Sequence, residues 1–136
     1  MLLVVLALSP AAYRTQAAGV CKAGAVAQAI VAARLSVHPT RAQALAVWPT
    51  LLALGRKEVR NLGQLEAPAG LRPAHEAAVA AKRSQLDLFA QALAAVRAGE
   101  AVPQASAGME PELVRLVASE RAAWRRAGVA VCAQSA

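Results

Sequence analysis

Two cysteines near the two ends of this 136-residue chain constrain its fold more than any other feature. Cys21 and Cys132 lie 111 positions apart, and two cysteines in an exported chain are expected to form one bridge. The chain-entropy model assigns a loop of this length about 4 to 5 kcal/mol of stabilisation. The alternative is that Cys21 is a lipid-modified N-terminal cysteine, a reading that Val20 directly before it disfavours because a small residue is expected there.

The first eight residues, MLLVVLAL, form an apolar run that is well short of the roughly 18 residues a membrane span needs. We predict that residues 1–19 are a signal peptide cleaved between Ala17 and Gly19, and that residues 20–136 are the folded domain. No Lys or Arg precedes the run, so we expect the true start codon to lie upstream. The alternative is an apolar N-terminal helix that is retained and packed in the core.

The composition predicts an all-α fold. Hydrophobic residues make up 57% of the chain but aromatic residues only 3%, and Ala, Leu and Val favour close helix packing over a pleated sheet. We expect an up-down bundle of about four helices, which brings the start of the first helix beside the end of the last, where the two cysteines meet. The predicted helices cover residues 20–35, 40–66, 73–98 and 111–127, with a connecting loop at 101–109.

Apolar stripes at helical spacing support this prediction. Val26, Ile30 and Ala33 mark the first helix, and a capping box of Thr40 and Gln43 opens the second. Pro49 is expected to kink the second helix.

The stripes of the third and fourth helices each contain one charged residue. Lys82 and Glu120 could form a buried ion pair that sets the bundle register. The more ordinary alternative is that each side chain reaches solvent at the edge of its stripe.

The net charge of +7 favours anionic partners. We expect an anion-binding face on the fourth helix, made of Arg115, Arg121, Arg125 and Arg126, with anionic lipid headgroups or acidic cell-wall polymers as ligands. The ordinary alternative is a solvated basic surface. We do not expect nucleic-acid binding, because the basic residues are spread among the helices without a stripe of stacking aromatics.

No spacing of histidines, cysteines and carboxylates indicates a metal site, a cofactor or a catalytic group. His38 and His75 are the only histidines, and neither cysteine belongs to a CxxC pair. Haem ligation by His75 and Met109 is a remote alternative, and we expect His75 to be a partly exposed polar residue near a helix start. An enzyme whose site assembles only in space is the distant functional alternative, and a monomer is the default state.

Several turn and cap signals accompany the cysteines: LGQLEAPAG at 62–70, RAGE at 97–100 and RAGV at 126–129. With the early Cys21 and the late Cys132, they make the chain resemble a class of small exported helical proteins of high-GC actinobacteria. The resemblance implies a helical fold and an extracytoplasmic compartment, and no activity. The expected function is therefore a non-catalytic binding or structural module of the cell envelope, or alternatively a basic binder of anionic lipid or cell-wall polymer.

Overall fold

The computed structural model describes residues 6–136, which form an up-down bundle of α-helices. Four long helices follow one another along the chain, and a short fifth helix completes the fold. The all-α prediction is confirmed. The helices are α1 (Pro10–Ala32), α2 (Arg41–Gly63), α3 (Arg72–Arg97), α4 (Val102–Ala127) and α5 (Ala130–Ser135).

The helix ends follow the local sequence. The Ser9 hydroxyl accepts a hydrogen bond from the Ala12 amide at 3.2 Å and caps α1. The capping box of Thr40 and Gln43 is present at the start of α2, as predicted. Gly128 ends α4 with a φ of 74°, a left-handed conformation that glycine adopts without strain, and so turns the chain into α5.

Prolines account for the main error in the predicted helix bounds. Residues 101–109 are not a loop, because α4 begins at Val102 and Pro103 occupies its first turn, where a missing amide costs nothing. Pro111, expected to open the helix, lies inside it. Pro49 lies within α2, which continues through it to Gly63 as expected, and the predicted kink stays a prediction. Tertiary packing therefore overrides the local preference of proline at both internal positions.

The predicted bridge between Cys21 and Cys132 is confirmed. Their Cα atoms are 5.3 Å apart, and both side chains are buried. Helix α5 carries Cys132 back against α1 and α4, so the disulfide ties the two ends of the bundle together. A bridge across 111 residues stabilises the fold by about 4 to 5 kcal/mol in the chain-entropy model.

The buried apolar residues form two clusters, one at each end of the bundle. The cluster around the disulfide contains Tyr13, Leu62 and Trp124, and the distal cluster contains Trp48 and Val96 among others. Within residues 6–136, no helix has both the length and the apolar character required to cross a bilayer.

The face of α1 that packs on the core is not the predicted one. Val26 and Ile30 are 54% and 63% exposed, whereas Tyr13, Ala17 and Cys21 are fully buried. The predicted stripe was read only from residue 20 onward. It therefore missed the first three turns, which determine how α1 is rotated against the bundle.

Helix α1 also crosses the predicted cleavage zone without a break. Ala17 is buried in the disulfide cluster, and Leu8 packs against that cluster while its amide bonds the Glu66 carbonyl at 3.2 Å. In this structure α1 thus begins at Pro10, inside the predicted segment 1–19, as the alternative of a packed N-terminal helix expects. The predicted signal peptide begins with Met1 to Val5, which lie outside the described residues, and its cleavage stays a prediction.

Candidate functional site

A groove with basic walls and an apolar floor runs between α2 and α3. Its volume is about 540 Å³, within the range of small-molecule sites. Arg56 and Arg60 lie one turn apart on α2, and Arg83 faces them from α3. The floor is formed by Val59, Leu86 and Gly63. We call this feature the α2–α3 groove.

A second depression of about 330 Å³ adjoins the groove and shares Gly63 and Arg83 with it. Its inner wall contains Val79 and His75, both buried, and Leu65 and Ala67 add apolar surface. We call this depression the His75 recess. Charged side chains of both signs also line it: Arg72, Glu66 and Glu76.

Two glycines of α2 explain why a groove opens here. At Gly55, a Cβ atom would collide with the Leu86 side chain, so the missing side chain allows α3 to pack closely at that level. At Gly63, two turns further along, a Cβ atom would meet nothing within 4 Å. The helices are therefore closely packed at Gly55 and leave open space at Gly63, where the groove and the recess meet.

The arginines of the groove are not neutralised by ion pairs. Within residues 6–136 the ion pairs are Lys82 with Glu58, Lys82 with Glu120, and Arg115 with Glu112. None involves the three groove arginines, and Asp87 is the one carboxylate lining the groove. The groove therefore offers several guanidinium donors to an anion beside an apolar surface.

A second polar arrangement lies in the interior of the bundle, around Lys82. Its Nζ is 3.1 Å from Glu58 Oε1 and 3.5 Å from Glu120 Oε2. The Lys82 side chain is 12% exposed, and the carboxylates of Glu58 and Glu120 are 4% and 1% exposed. The structure thus brings Lys82 and Glu120 together, and adds Glu58, which the sequence analysis did not identify.

Side chains from the neighbouring helices complete this buried network. Gln28 Nε2 donates to Glu58 Oε2, and Gln85 Nε2 donates to Glu120 Oε1, each at 2.8 Å. The Trp124 indole N–H donates to Glu120 Oε2 at 2.8 Å. All four long helices contribute to the network. Its ion pairs and hydrogen bonds link side chains of all four helices, and the register role expected for Lys82 and Glu120 stays a prediction.

Burial is the main reason that the pKa of Glu58 is raised above its ordinary value. The nearby Lys82 and the hydrogen bond from Gln28 act in the opposite direction, and the Glu120 carboxylate raises the pKa further. Two buried carboxylates share one ammonium, so the negative charge of Glu120 favours the protonated form of Glu58.

His75 is buried in the disulfide cluster, rather than partly exposed as we expected. Its Nδ1 lies 2.8 Å from the Tyr13 hydroxyl, and its ring meets the Trp124 ring edge-on at 5.9 Å. Burial lowers the pKa of His75, while a backbone hydrogen bond at Leu62 and the charge of Glu76 oppose this effect. Burial also raises the pKa of Tyr13 to about 12. The hydroxyl therefore donates to a neutral imidazole.

The four arginines predicted as one anion-binding face are divided in the structure. Arg115 pairs with Glu112 on the same helix, and Arg121 donates to the Ala136 carbonyl at 2.8 Å. Arg121 and Arg125 line a depression beside α5. Arg126, the next residue, lies about 100° further around the axis of α4. Two of the four predicted arginines therefore share a cavity, whereas three arginines that were not predicted as a site, Arg56, Arg60 and Arg83, share the α2–α3 groove.

The remaining predicted ligands do not converge. His75 belongs to the disulfide cluster, whereas Met109 packs against the distal cluster, so the haem alternative finds no shared site. Among residues 6–136, no group of three or more His, Cys, Asp or Glu side chains is placed to hold a metal ion. Comparison with protein-family models, with curated proteins and with solved structures finds nothing that matches this chain.

Proposed function

We propose that this protein is a non-catalytic binding module that works outside the cytoplasm, at the cell envelope. The observation that supports this location is the buried Cys21–Cys132 disulfide. Disulfides form and persist in oxidising compartments, whereas the cytoplasm keeps thiols reduced.

Export itself is part of the proposal, with one change in the expected processing. Cleavage between Ala17 and Gly19 would remove Tyr13, whose hydroxyl bonds His75, and Ala17, which is fully buried. It would also remove Arg14, whose side chain donates to the Ala127 carbonyl at the end of α4. We therefore expect the exported domain to retain the residues from Leu8 onward.

The burial of the polar residues supports a binding role over a catalytic one. Glu58, Lys82 and Glu120 satisfy one another inside the bundle, and in the described chain no buried side-chain nitrogen or oxygen lacks a hydrogen-bond partner. These groups act on the fold rather than on a substrate. Two buried titratable residues of the described chain line a cavity, His75 in the recess and Glu58 in a separate cavity of about 250 Å³, so an enzyme would have to use one of them. Turnover abolished by His75→Gln in a folded protein would favour that alternative.

Anionic molecules are the ligands that the charge favours. The chain carries a net charge of +7, and the arginines of the α2–α3 groove are free of ion pairs in the described residues. A basic surface attracts anionic lipid or acidic polymer over a distance set by the ionic strength.

A sedimentation assay tests this role. The oxidised protein is mixed with phosphatidylglycerol vesicles, with phosphatidylcholine vesicles and with isolated cell-wall polymer, at 20 mM and 500 mM salt. We expect binding to an anionic surface at low salt, little binding to phosphatidylcholine, and loss of binding at high salt. Equal binding to both lipids, or none to any anionic surface, would contradict the proposed role.

A further inference from the structure

We infer that the α2–α3 groove and the His75 recess together form a site for a single anionic amphiphile, a molecule with a phosphate or carboxylate headgroup and an apolar chain. This inference deepens the proposed function, on which it rests, by naming the ligand class and its position. The two cavities share Gly63 and Arg83, so one elongated molecule can occupy both.

The headgroup end is defined by charge. Arg56 and Arg60 approach from α2 and Arg83 from α3, with Asp87 as the one opposing carboxylate in the groove. Guanidinium groups bind phosphate and carboxylate oxygens in pairs of parallel hydrogen bonds. Three such groups on two helices can surround one headgroup.

The chain end is defined by apolar surface. Val59 and Leu86 line the groove, and Leu65 is the partly exposed apolar side chain of the recess, with Ala67 and Val79 buried behind it. Charged side chains lie beside them in the recess. An acidic polymer or free phosphate would gain nothing from this surface, whereas an alkyl chain is removed from water by it. Glu66 and Glu76 line the recess and disfavour a second anion there.

Gly63 allows a specific test of this site. It lies where the groove and the recess meet, and a Cβ atom at this position would encounter nothing within 4 Å. A leucine side chain can therefore enter the open space without displacing the core. Gly19 provides the matched control, because it is also helical, also has no neighbour within 4 Å of a Cβ, and lines neither cavity.

The experiment measures binding of dodecyl phosphate by titration calorimetry, below its micelle-forming concentration, to the oxidised full chain. We expect Gly63→Leu to weaken binding at least tenfold and Gly19→Leu to leave it unchanged. Arg83→Gln should weaken binding about tenfold, and Arg125→Gln, which removes the same charge elsewhere, should change it less than twofold. Circular dichroism establishes that each variant is folded, and Arg83→Gln preserves the test if Gly63→Leu does not fold.

Four results would overturn the inference. Inorganic phosphate that binds as tightly as dodecyl phosphate would show that the apolar floor is not used. Dodecyltrimethylammonium that binds equally well would show that the arginines do not select the headgroup. An equal loss in Arg83→Gln and Arg125→Gln would indicate general electrostatic attraction. Absence of dodecyl phosphate binding by a protein that still binds phosphatidylglycerol vesicles would refute the site and leave the proposed function standing.

Discussion

Replacing Lys82 by methionine is the sharpest test of the buried network. The substitution keeps an unbranched side chain of similar length but removes the ammonium that lies 3.1 Å from Glu58 and 3.5 Å from Glu120. Two carboxylates that are 4% and 1% exposed then lose their cation. Breaking a buried ion pair from one side costs about 3 to 5 kcal/mol, and the 12% exposure of Lys82 places the expected loss near the lower bound, about 3 kcal/mol.

Urea unfolding at pH 7 measures this loss. With a typical slope of about 2 kcal/mol per molar urea, the midpoint should fall by about 1.5 M. Burial raises the folded-state pKa of Glu58, and removing Lys82 removes the largest effect that opposes this rise, so the variant should recover stability as the pH falls through the folded pKa of Glu58 towards its unfolded value. Adding Glu120→Gln to Lys82→Met should restore part of the loss at pH 7, because one of the two unpaired charges is removed.

Arg115→Met is the matched control, since it removes an exposed cation from its pair with Glu112. We expect its unfolding midpoint to equal that of the wild type. A Lys82→Met variant as stable as this control at pH 7 would refute the reasoning, because it would mean that the carboxylates are not held in a low-dielectric interior.

Three further predictions concern the disulfide end of the bundle. Replacing both Cys21 and Cys132 by alanine should lower the free energy of unfolding by about 4 to 5 kcal/mol, measured by urea denaturation against the oxidised wild type, and a loss below about 1 kcal/mol would contradict the loop-entropy argument. Tyr13→Phe keeps the buried ring but removes the hydroxyl that bonds His75 Nδ1, so thermal unfolding should show that the free energy of unfolding falls by about 1 to 2 kcal/mol. An unchanged free energy would mean that the 2.8 Å contact is not a stabilising hydrogen bond. Burial lowers the folded-state pKa of His75, so the unfolded chain binds the proton more readily than the folded chain. The wild type should therefore lose stability relative to His75→Gln as the pH falls through 6.5, the ordinary pKa of histidine. A difference in unfolding free energy between the two proteins that stays constant from pH 8 to pH 5 would count against this burial effect.

The parts of the fold that the sequence predicted are those with strong local signals. The capping box at Thr40, the glycine stop at Gly128 and the pairing of Cys21 with Cys132 are all present. The first two depend on the chemistry of a few adjacent residues, and the third follows because a chain with two cysteines allows one pairing. The prediction failed at Pro103, which was interpreted as part of a loop although it lies in the first turn of α4, and at Pro111, which was expected to open the helix although it lies inside it.

The candidate sites were less predictable because they depend on which helix faces meet. Lys82 and Glu120 were recognisable as charged members of apolar stripes, but Glu58 stands beside its stripe and carried no such signal. Arg83 joins Arg56 and Arg60 across a helix pair, which no spacing along the chain reveals. His75 was expected near the surface because a single polar residue at a helix start shows nothing of the Tyr13 hydroxyl that reaches it from α1.

The most direct test of the account is the intact mass of the protein isolated from the cells that make it, with alkylation before and after reduction. The account predicts that Cys21 and Cys132 are alkylated only after reduction, and that the mature chain retains the residues from Leu8 onward, including Tyr13. Two thiols alkylated without reduction would contradict the extracytoplasmic disulfide. A mature chain that begins after Gly19 would contradict the packing of α1 in the core.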